Sequence, residues 1–229
     1  MVNRAVFLND VRVTLPSRAG PVAILRGCDL RAEAGEAVGL VGPSGSGKTT
    51  ILMVVAGLEA VTGGVVEVAG QDLTRLDEDA LARFRRDHVG IVFQAFHLIP
   101  AMTALENVAV PLEFRGLAQA RTIAREALDA VGLGHRVSHY PGQLSGGEQQ
   151  RVAIARALAA GAQVILADEP TGNLDQETGQ KIMELLFALQ RERGTTLLLV
   201  THDHDLVRRC DRVLEVRDGR IGPAEQLVA

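Results

Sequence analysis

The sequence predicts an α/β protein with a mainly parallel sheet and helices on its faces. Three observations carry that prediction. Between Val164 and Val200 the order is strand, helix, strand, the alternation that parallel pairing requires. A short apolar strand, Ala37–Val41, runs directly into a glycine-rich loop and then a helix. The stretch from Leu98 to Ala160 is mostly helical and reads as an insertion into the sheet.

Taken in order, apolar residues roughly alternate from Val6 to Leu15, most cleanly at Val11, Val13 and Leu15, the period of a half-buried strand. A second strand-like stretch covers Val22 to Ala32. The segment Lys48 to Ala56 reads as helix, with Gly57 as its stop. Val65, Val66 and Val68 mark another strand, closed by Ala69-Gly70. In the helical middle Ile123, Ala127, Leu128 and Val131 share one face, and Gly132 is placed like a C-terminal cap. Val164–Ala167 and Thr196–Val200 are continuous apolar runs, as strands buried on both faces should be. Between them, Ile182, Leu185, Leu186 and Leu189 mark a helix stopped by Gly194.

Composition narrows the function classes. With 229 residues, 47% apolar and 23% charged, the chain fits one large domain or two small ones and excludes disordered, collagen-like and disulfide-scaffold classes. A net charge of −4 argues against a broad basic face, so no nucleic-acid partner is expected. Cys28 and Cys210 are expected to be reduced thiols. No stretch reaches the ~18 consecutive apolar residues of a membrane span, and Arg4 and Asp10 break up any signal-peptide pattern at the start. The expected location is cytoplasmic.

The chemistry sits in three places. Gly42-Pro43-Ser44-Gly45-Ser46-Gly47-Lys48-Thr49 fits G-x-x-x-x-G-K-[ST], in which glycines let backbone N–H groups surround phosphate oxygens. Lys48 would reach the β- and γ-phosphates and Thr49 would ligate Mg²⁺. A flexible Gly/Ser turn is the competing reading, disfavoured by the strand before, the helix after and a chain with only two lysines, Lys48 and Lys181. Second, Asp168-Glu169 end the buried strand Val164–Ala167, at the carboxyl edge where ligands of parallel sheets sit. Asp168 would hold Mg²⁺ and Glu169 would polarise the attacking water; alone, the pair also reads as a solvated strand end. Third, Leu144-Ser145-Gly146-Gly147-Glu148 has the S-x-x-E spacing of a capping box opening the helix Gln149 to Ala159. A cap needs no double glycine, and Gly146-Gly147 would let donors approach an anion closely. Two phosphate sites in a chain with room for one nucleotide imply two copies meeting head to tail.

With these motifs in this order, the sequence resembles the nucleotide-binding subunit of an ABC transporter along essentially its whole length. The resemblance implies an ABC-type P-loop NTPase fold, with a mainly parallel core sheet and an N-terminal antiparallel β subdomain over about 1–95 and 160–229. The helical subdomain would cover about 96–159. It implies ATP and Mg²⁺ as ligands, a homodimer on ATP binding and an integral membrane permease subunit as partner. Gln94, in Phe93-Gln94, matches the glutamine that joins core to helical subdomain and serves phosphate and metal. His202, otherwise readable as a surface histidine in the run Thr201 to Asp205, matches the switch histidine. Gly172-Asn173-Leu174-Asp175 matches the dimer-contact loop, giving Asp175 a place at the nucleotide. Implied catalytic residues are Glu169, His202 and Gln94. Metal contacts fall to Thr49, Gln94 and Asp168. Nucleotide contacts fall to Gly42 through Thr50, with Ser145, Gly146, Gly147 and Glu148 acting from the other copy. Leu15 stands where the family carries an adenine-stacking aromatic, a departure that removes the stacking contribution.

Several phrases resemble the lipoprotein-release, macrolide-efflux and Ybb-type group, among them Val92 to Pro100, Leu105-Glu106-Asn107-Val108 and Ala167 to Asp175. That group implies export or release of lipids, lipoproteins or hydrophobic compounds. An amino-acid-type importer ATPase shares the catalytic motifs, and a soluble ABC ATPase is a more distant alternative. A small GTPase is excluded, since neither lysine follows an asparagine as N-K-x-D demands.

Overall fold

A computed structural model describes residues 4–18 and 20–224. A six-stranded sheet has the order β10-β9-β3-β8-β7-β6, from β3 (Ala37–Val41), β6 (Val89–Phe93), β7 (Val164–Asp168), β8 (Thr196–Val200), β9 (Arg212–Arg217) and β10 (Arg220–Pro223). All neighbours pair parallel except β10, which returns antiparallel along β9. A second, antiparallel sheet has the order β2-β1-β4-β5, from β1 (Arg4–Ser17), β2 (Gly20–Glu33), β4 (Gly63–Val68) and β5 (Gln71–Asp72).

The parallel sheet separates two hydrophobic clusters, and its residues alternate between them. Ile165, Ala167, Leu197 and Leu199 face one, whereas Val164, Leu166, Leu198 and Val200 face the other. The second cluster is covered by α1 (Lys48–Val55) and by the inner face of the antiparallel sheet. The first is covered by α5 (Gly146–Ala159) and α6 (Gln176–Arg193), and it continues outward into α3 (Ala104–Phe114) and α4 (Ala120–Ala130). The inserted helices thus share one continuous apolar cluster with the sheet. On α4, Ala127, Leu128 and Val131 are buried as their spacing predicts, and Ile123 is half-buried.

Two elements are not apparent from apolar spacing. Helix α2 (Glu78–His88) is polar almost all round and buries only Phe84; Asp77 caps it by accepting from Ala80 N at 2.8 Å. The adjoining β6 has half-buried Val89, Ile91 and Phe93, and its pattern is broken by Gly90. That glycine has a packing reason. A Cβ there would stand 2.4 Å from the Ala157 carbonyl oxygen and 2.6 Å from Ile165 Cδ1, so only glycine lets α5 lie this close to the sheet. Elsewhere, burial pushes the Cys28 thiol to about 11 and the Cys210 thiol to about 12, and both are free cysteines. Among the described residues no helix is long and apolar enough to cross a membrane.

Gly90→Ala is expected to destabilise the chain by about 1–3 kcal/mol, because backbone rather than a movable side chain meets the added methyl. A urea titration would register it as a lowered midpoint with an unchanged slope.

Candidate functional site

Three neighbouring strands deliver the site. The phosphate loop leaves β3, His202 follows β8, and Asp168-Glu169 end β7, with β8 lying between the other two. Register aligns Leu40 of β3 with Val200 of β8, and Val200 with Asp168 of β7. All three carboxyl ends therefore open on one edge, around a cleft of about 560 Å³.

On the loop side the cleft is lined by Gly42, Ser44, Gly45 and Gly47, then by Lys48, Thr49 and Thr50 of α1. Gly45 and Gly47 have φ of 76° and 107°, the left-handed region in which a glycine-built loop can turn its N–H groups inward. Helix α1 begins at Gly47 with no side-chain cap and no acid in its first turn. By contrast α2, α3, α5 and α6 are capped by Asp77, Thr103, Ser145 and Asp175. The α1 N–H groups and the positive end of its dipole are thus left for an anion in the cleft. Lys48 Nζ donates to the carbonyls of Gly42 and Pro43, both at 2.8 Å, which holds the ammonium over the loop. Ser46 is buried, and its Oγ has no hydrogen-bond partner among the described residues.

The loop is braced from behind by main chain. In the β9–β10 turn, Gly219 N donates to Ser46 O at 3.1 Å, and Gly219 O accepts from Arg26 N at 2.8 Å and from Cys28 Sγ at 3.0 Å. A Cβ on Gly42 would stand 2.0 Å from the Val216 carbonyl oxygen.

Opposite the loop, Thr49 Oγ1 donates to Asp168 Oδ2 at 3.0 Å. Two hard oxygen donors side by side, facing a phosphate cradle, suit Mg²⁺, which binds through one or two protein oxygens plus phosphate. Burial raises the Asp168 carboxyl above its ordinary value most strongly. The Thr49 hydrogen bond opposes this, the Glu169 charge adds to it, and Lys48 lowers it. His202 Nδ1 lies 2.8 Å from Glu169 Oε2, so against a carboxylate that nitrogen carries the proton. The His202 ring is largely exposed, whereas Glu169 is mostly covered. Glu169 has φ of 46°, an unfavourable region for a non-glycine residue and one found where function over-determines the backbone.

The remaining predicted residues form a second group, away from the cleft wall. Ser145 and Glu148 complete a reciprocal capping box on α5, Glu148 N donating to Ser145 Oγ at 3.2 Å and Ser145 N to Glu148 Oε2 at 2.8 Å. That pairing holds the Glu148 carboxyl below its ordinary value, and Arg136 contributes. Cβ atoms on Gly146 and Gly147 would meet Leu174 at 3.2 Å and Thr178 at 2.6 Å, so this helix start abuts the loop containing Asp175. Asp175 itself caps α6 through Thr178 N at 2.9 Å. Gln94 turns toward that loop, its Nε2 donating to Asn173 Oδ1 at 3.3 Å, and does not line the cleft.

Leu15 lies in register with Val22 across the β1–β2 hairpin and does not line the cleft either. Ile24, one residue before buried Leu25, is the aliphatic residue of this hairpin that does. Sequence reasoning missed it because the β1–β2 register shifts between Val13 and Thr14, which breaks the alternation that would have marked its face.

A phosphate cradle at an uncapped helix start, facing an Asp-Glu pair on a parallel sheet, defines a P-loop nucleotide hydrolase. The family model described as ABC transporter matches residues 25–172, more than half of the chain, and the chain belongs to that family. It is 52% identical to the ABC transporter ATP-binding protein YbbA of Escherichia coli (strain K12), over 87% of this chain and 89% of that one. It is 48% identical to the macrolide export ATP-binding/permease protein MacB of the same strain, over 93% of this chain but only 33% of MacB. Among solved structures, a dimeric post-hydrolysis state of the ATP-binding cassette MJ0796 with ADP and Pi superposes with a TM-score of 0.87 at 42% identity, covering 95% of this chain and 98% of that one. The protein is therefore an ATP-binding, ATP-hydrolysing subunit of a transporter, close to MacB and YbbA.

Because the Asp168 carboxyl is raised, the folded chain binds that proton more readily than the unfolded chain, and the group costs stability at neutral pH. The cost is relieved as pH falls through the folded value toward 3.8. Asp168→Asn should therefore melt higher than the parent at pH 7 without nucleotide, and the difference should shrink toward about pH 4. Thermal melts at the two pH values test this.

Proposed function

We propose that two copies of the chain sandwich two ATP molecules and drive a separate membrane subunit for export or release of lipids, lipoproteins or hydrophobic compounds. The observation that carries this reading is the separation of the two predicted phosphate-contacting groups. Gly42 to Thr50 line the cleft, while Ser145 to Glu148 open α5 beside the Asp175 loop, outside it. A second copy, placed head to tail, would bring Ser145 and Gly147 to the γ-phosphate. The MJ0796 cassette, described as dimeric, supports that arrangement.

In the proposed reaction the loop N–H groups, the α1 dipole and Lys48 bind and orient the triphosphate. Glu169 accepts the proton of the attacking water and aligns it with the γ-phosphorus, and the proton on His202 Nδ1 fixes the Glu169 carboxylate in place. Thr49 and Asp168 would hold Mg²⁺, with Gln94 joining after turning from Asn173; the ion would neutralise charge developing on the phosphate oxygens. Exposed Ile99 and Phe114 on the helical segment 96–159 are proposed to face the membrane partner, which would hold the chain at the inner face of the cell membrane. The export assignment rests on likeness to MacB and on the phrases shared with its group.

Glu169→Gln should retain ATP binding, lose at least about 100-fold in turnover and accumulate as a dimer with Mg-ATP; light scattering with a turnover assay reads all three. Used as bait from detergent-solubilised membranes, this variant should bring down a subunit with few spans and a large extracytoplasmic part. A many-helix permease with a solute-binding protein would instead make the chain an importer ATPase.

With Ile24 offering only aliphatic contact to a base, ATP and GTP should be hydrolysed at comparable rates. Ile24→Tyr should tighten ATP binding up to about tenfold through stacking. Strong ATP selectivity in the parent would refute this.

A further inference from the structure

Helix α5 carries two polar side chains that donate to main-chain carbonyls in two different loops. Gln150 is fully buried, and its Nε2 donates to the Pro170 carbonyl, directly after Glu169, at 2.6 Å. Less than two turns on, Arg156 spans two consecutive carbonyls, donating through Nη1 to His97 O at 2.6 Å and through Nη2 to Phe96 O at 2.8 Å. These contacts fall on the segments that directly follow Glu169 and Gln94.

Both segments contain backbone that does not hold itself. Phe96 and His97 are consecutive non-glycine residues at φ of 58° and 47°, and Glu169 stands at 46°. Such conformations cost free energy and persist where neighbours over-determine them. Arg156 is half-buried, burial lowers its basicity, and it makes no ion pair among the described residues. A desolvated cation with no carboxylate partner is unfavourable unless its donors are fully used. The rigid guanidinium fork meets the two adjacent carbonyls with a separate nitrogen each, whereas a lysine would have to reach both from one shorter-reaching, freely rotating ammonium. The helix is itself seated firmly, since Gly90 lets Ala157 approach β6 at backbone distance. At its other end, the position a Cβ would take on Gly146 lies 3.2 Å from Leu174 and 3.9 Å from Phe96.

We propose that Arg156 and Gln150 are positioning residues that lock the loops after Gln94 and Glu169 to α5, so that displacement of the Ser145 end reaches the hydrolytic groups of the same chain. Engagement of Ser145 by the other copy's nucleotide would then bear directly on how this chain's Glu169 is held. The consequence for catalysis rests on the ATP-sandwich reading; the anchoring itself does not.

The test uses the full chain with Arg156→Lys, Arg156→Ala and Gln150→Ala, read by amide hydrogen exchange, thermal melting, affinity for a fluorescent ATP analogue, and turnover. Exchange in 95–100 should rise at least about tenfold in both Arg156 variants, and exchange in 169–172 should rise in Gln150→Ala, with the rest of the sheet unchanged. Analogue affinity should stay within about threefold while turnover falls at least about tenfold, the split expected of a group acting only on the catalytic geometry. If Arg156→Ala does not fold, Arg156→Lys decides. Parent-like exchange at 95–100 in a folded Arg156 variant overturns the anchoring, and parent-like turnover despite raised exchange overturns the positioning role. Glu169→Gln runs as a control. If it hydrolyses ATP like the parent, the hydrolytic assignment fails, while the exchange measurement still judges the anchoring.

Discussion

The parallel register of β3, β8 and β7 is the constraint on which the site depends. It sets Val200 beside Asp168 and Leu40, so that a phosphate loop, a histidine and an acidic pair emerge together. Side chains alternate faces along a strand, so a slip of one residue would exchange the two hydrophobic clusters and carry Asp168 away from Thr49. Burial on both faces makes that slip prohibitive. The precision of a 3.0 Å contact between residues 119 positions apart is thus underwritten by aliphatic packing rather than by local polar contacts.

Against that scaffold, helix starts divide the labour. Helices α2, α3, α5 and α6 satisfy first N–H groups with their own side chains, as Thr103 does through its capping box with Glu106. Helices α1 and α4 have no such cap, and of the two it is α1 that faces the cleft. Helix α5 is intermediate. Its cap is complete, yet two glycines keep the approach to that cap free of side chains. The half-buried acid beside α1, destabilising while uncompensated, is a group whose interaction with a cation would be repaid in stability.

Much of this was legible in the sequence where local pattern and tertiary need coincide. Ala37–Val41 and the run 197–200 are apolar throughout because both faces are covered, and Gly57, Gly132 and Gly194 end helices in the left-handed region that glycine favours. The Ser145 capping box is present as its spacing foretold. What stayed hidden depends on partners distant in the chain. Helix α2 buries one residue, so it has almost no stripe to read. Gly90 weakens its strand in order to admit α5, and Ile24 owes its place in the cleft to a register shift. The orientation of Gln94 toward Asn173, 79 positions away, and the reach of Arg156 to Phe96 have no local signature at all.

The bracing of the phosphate loop by Gly219 and by the Val216 carbonyl carries a last implication. What the β9–β10 hairpin sets against the back of the loop is peptide backbone, which every sequence supplies alike. Exposed side chains of β9 and β10 can drift, so long as the hairpin keeps its glycine, without reshaping the cradle. Insulation of this kind lets a motor's outer surface diversify to suit new partners while its combustion chamber stays the same.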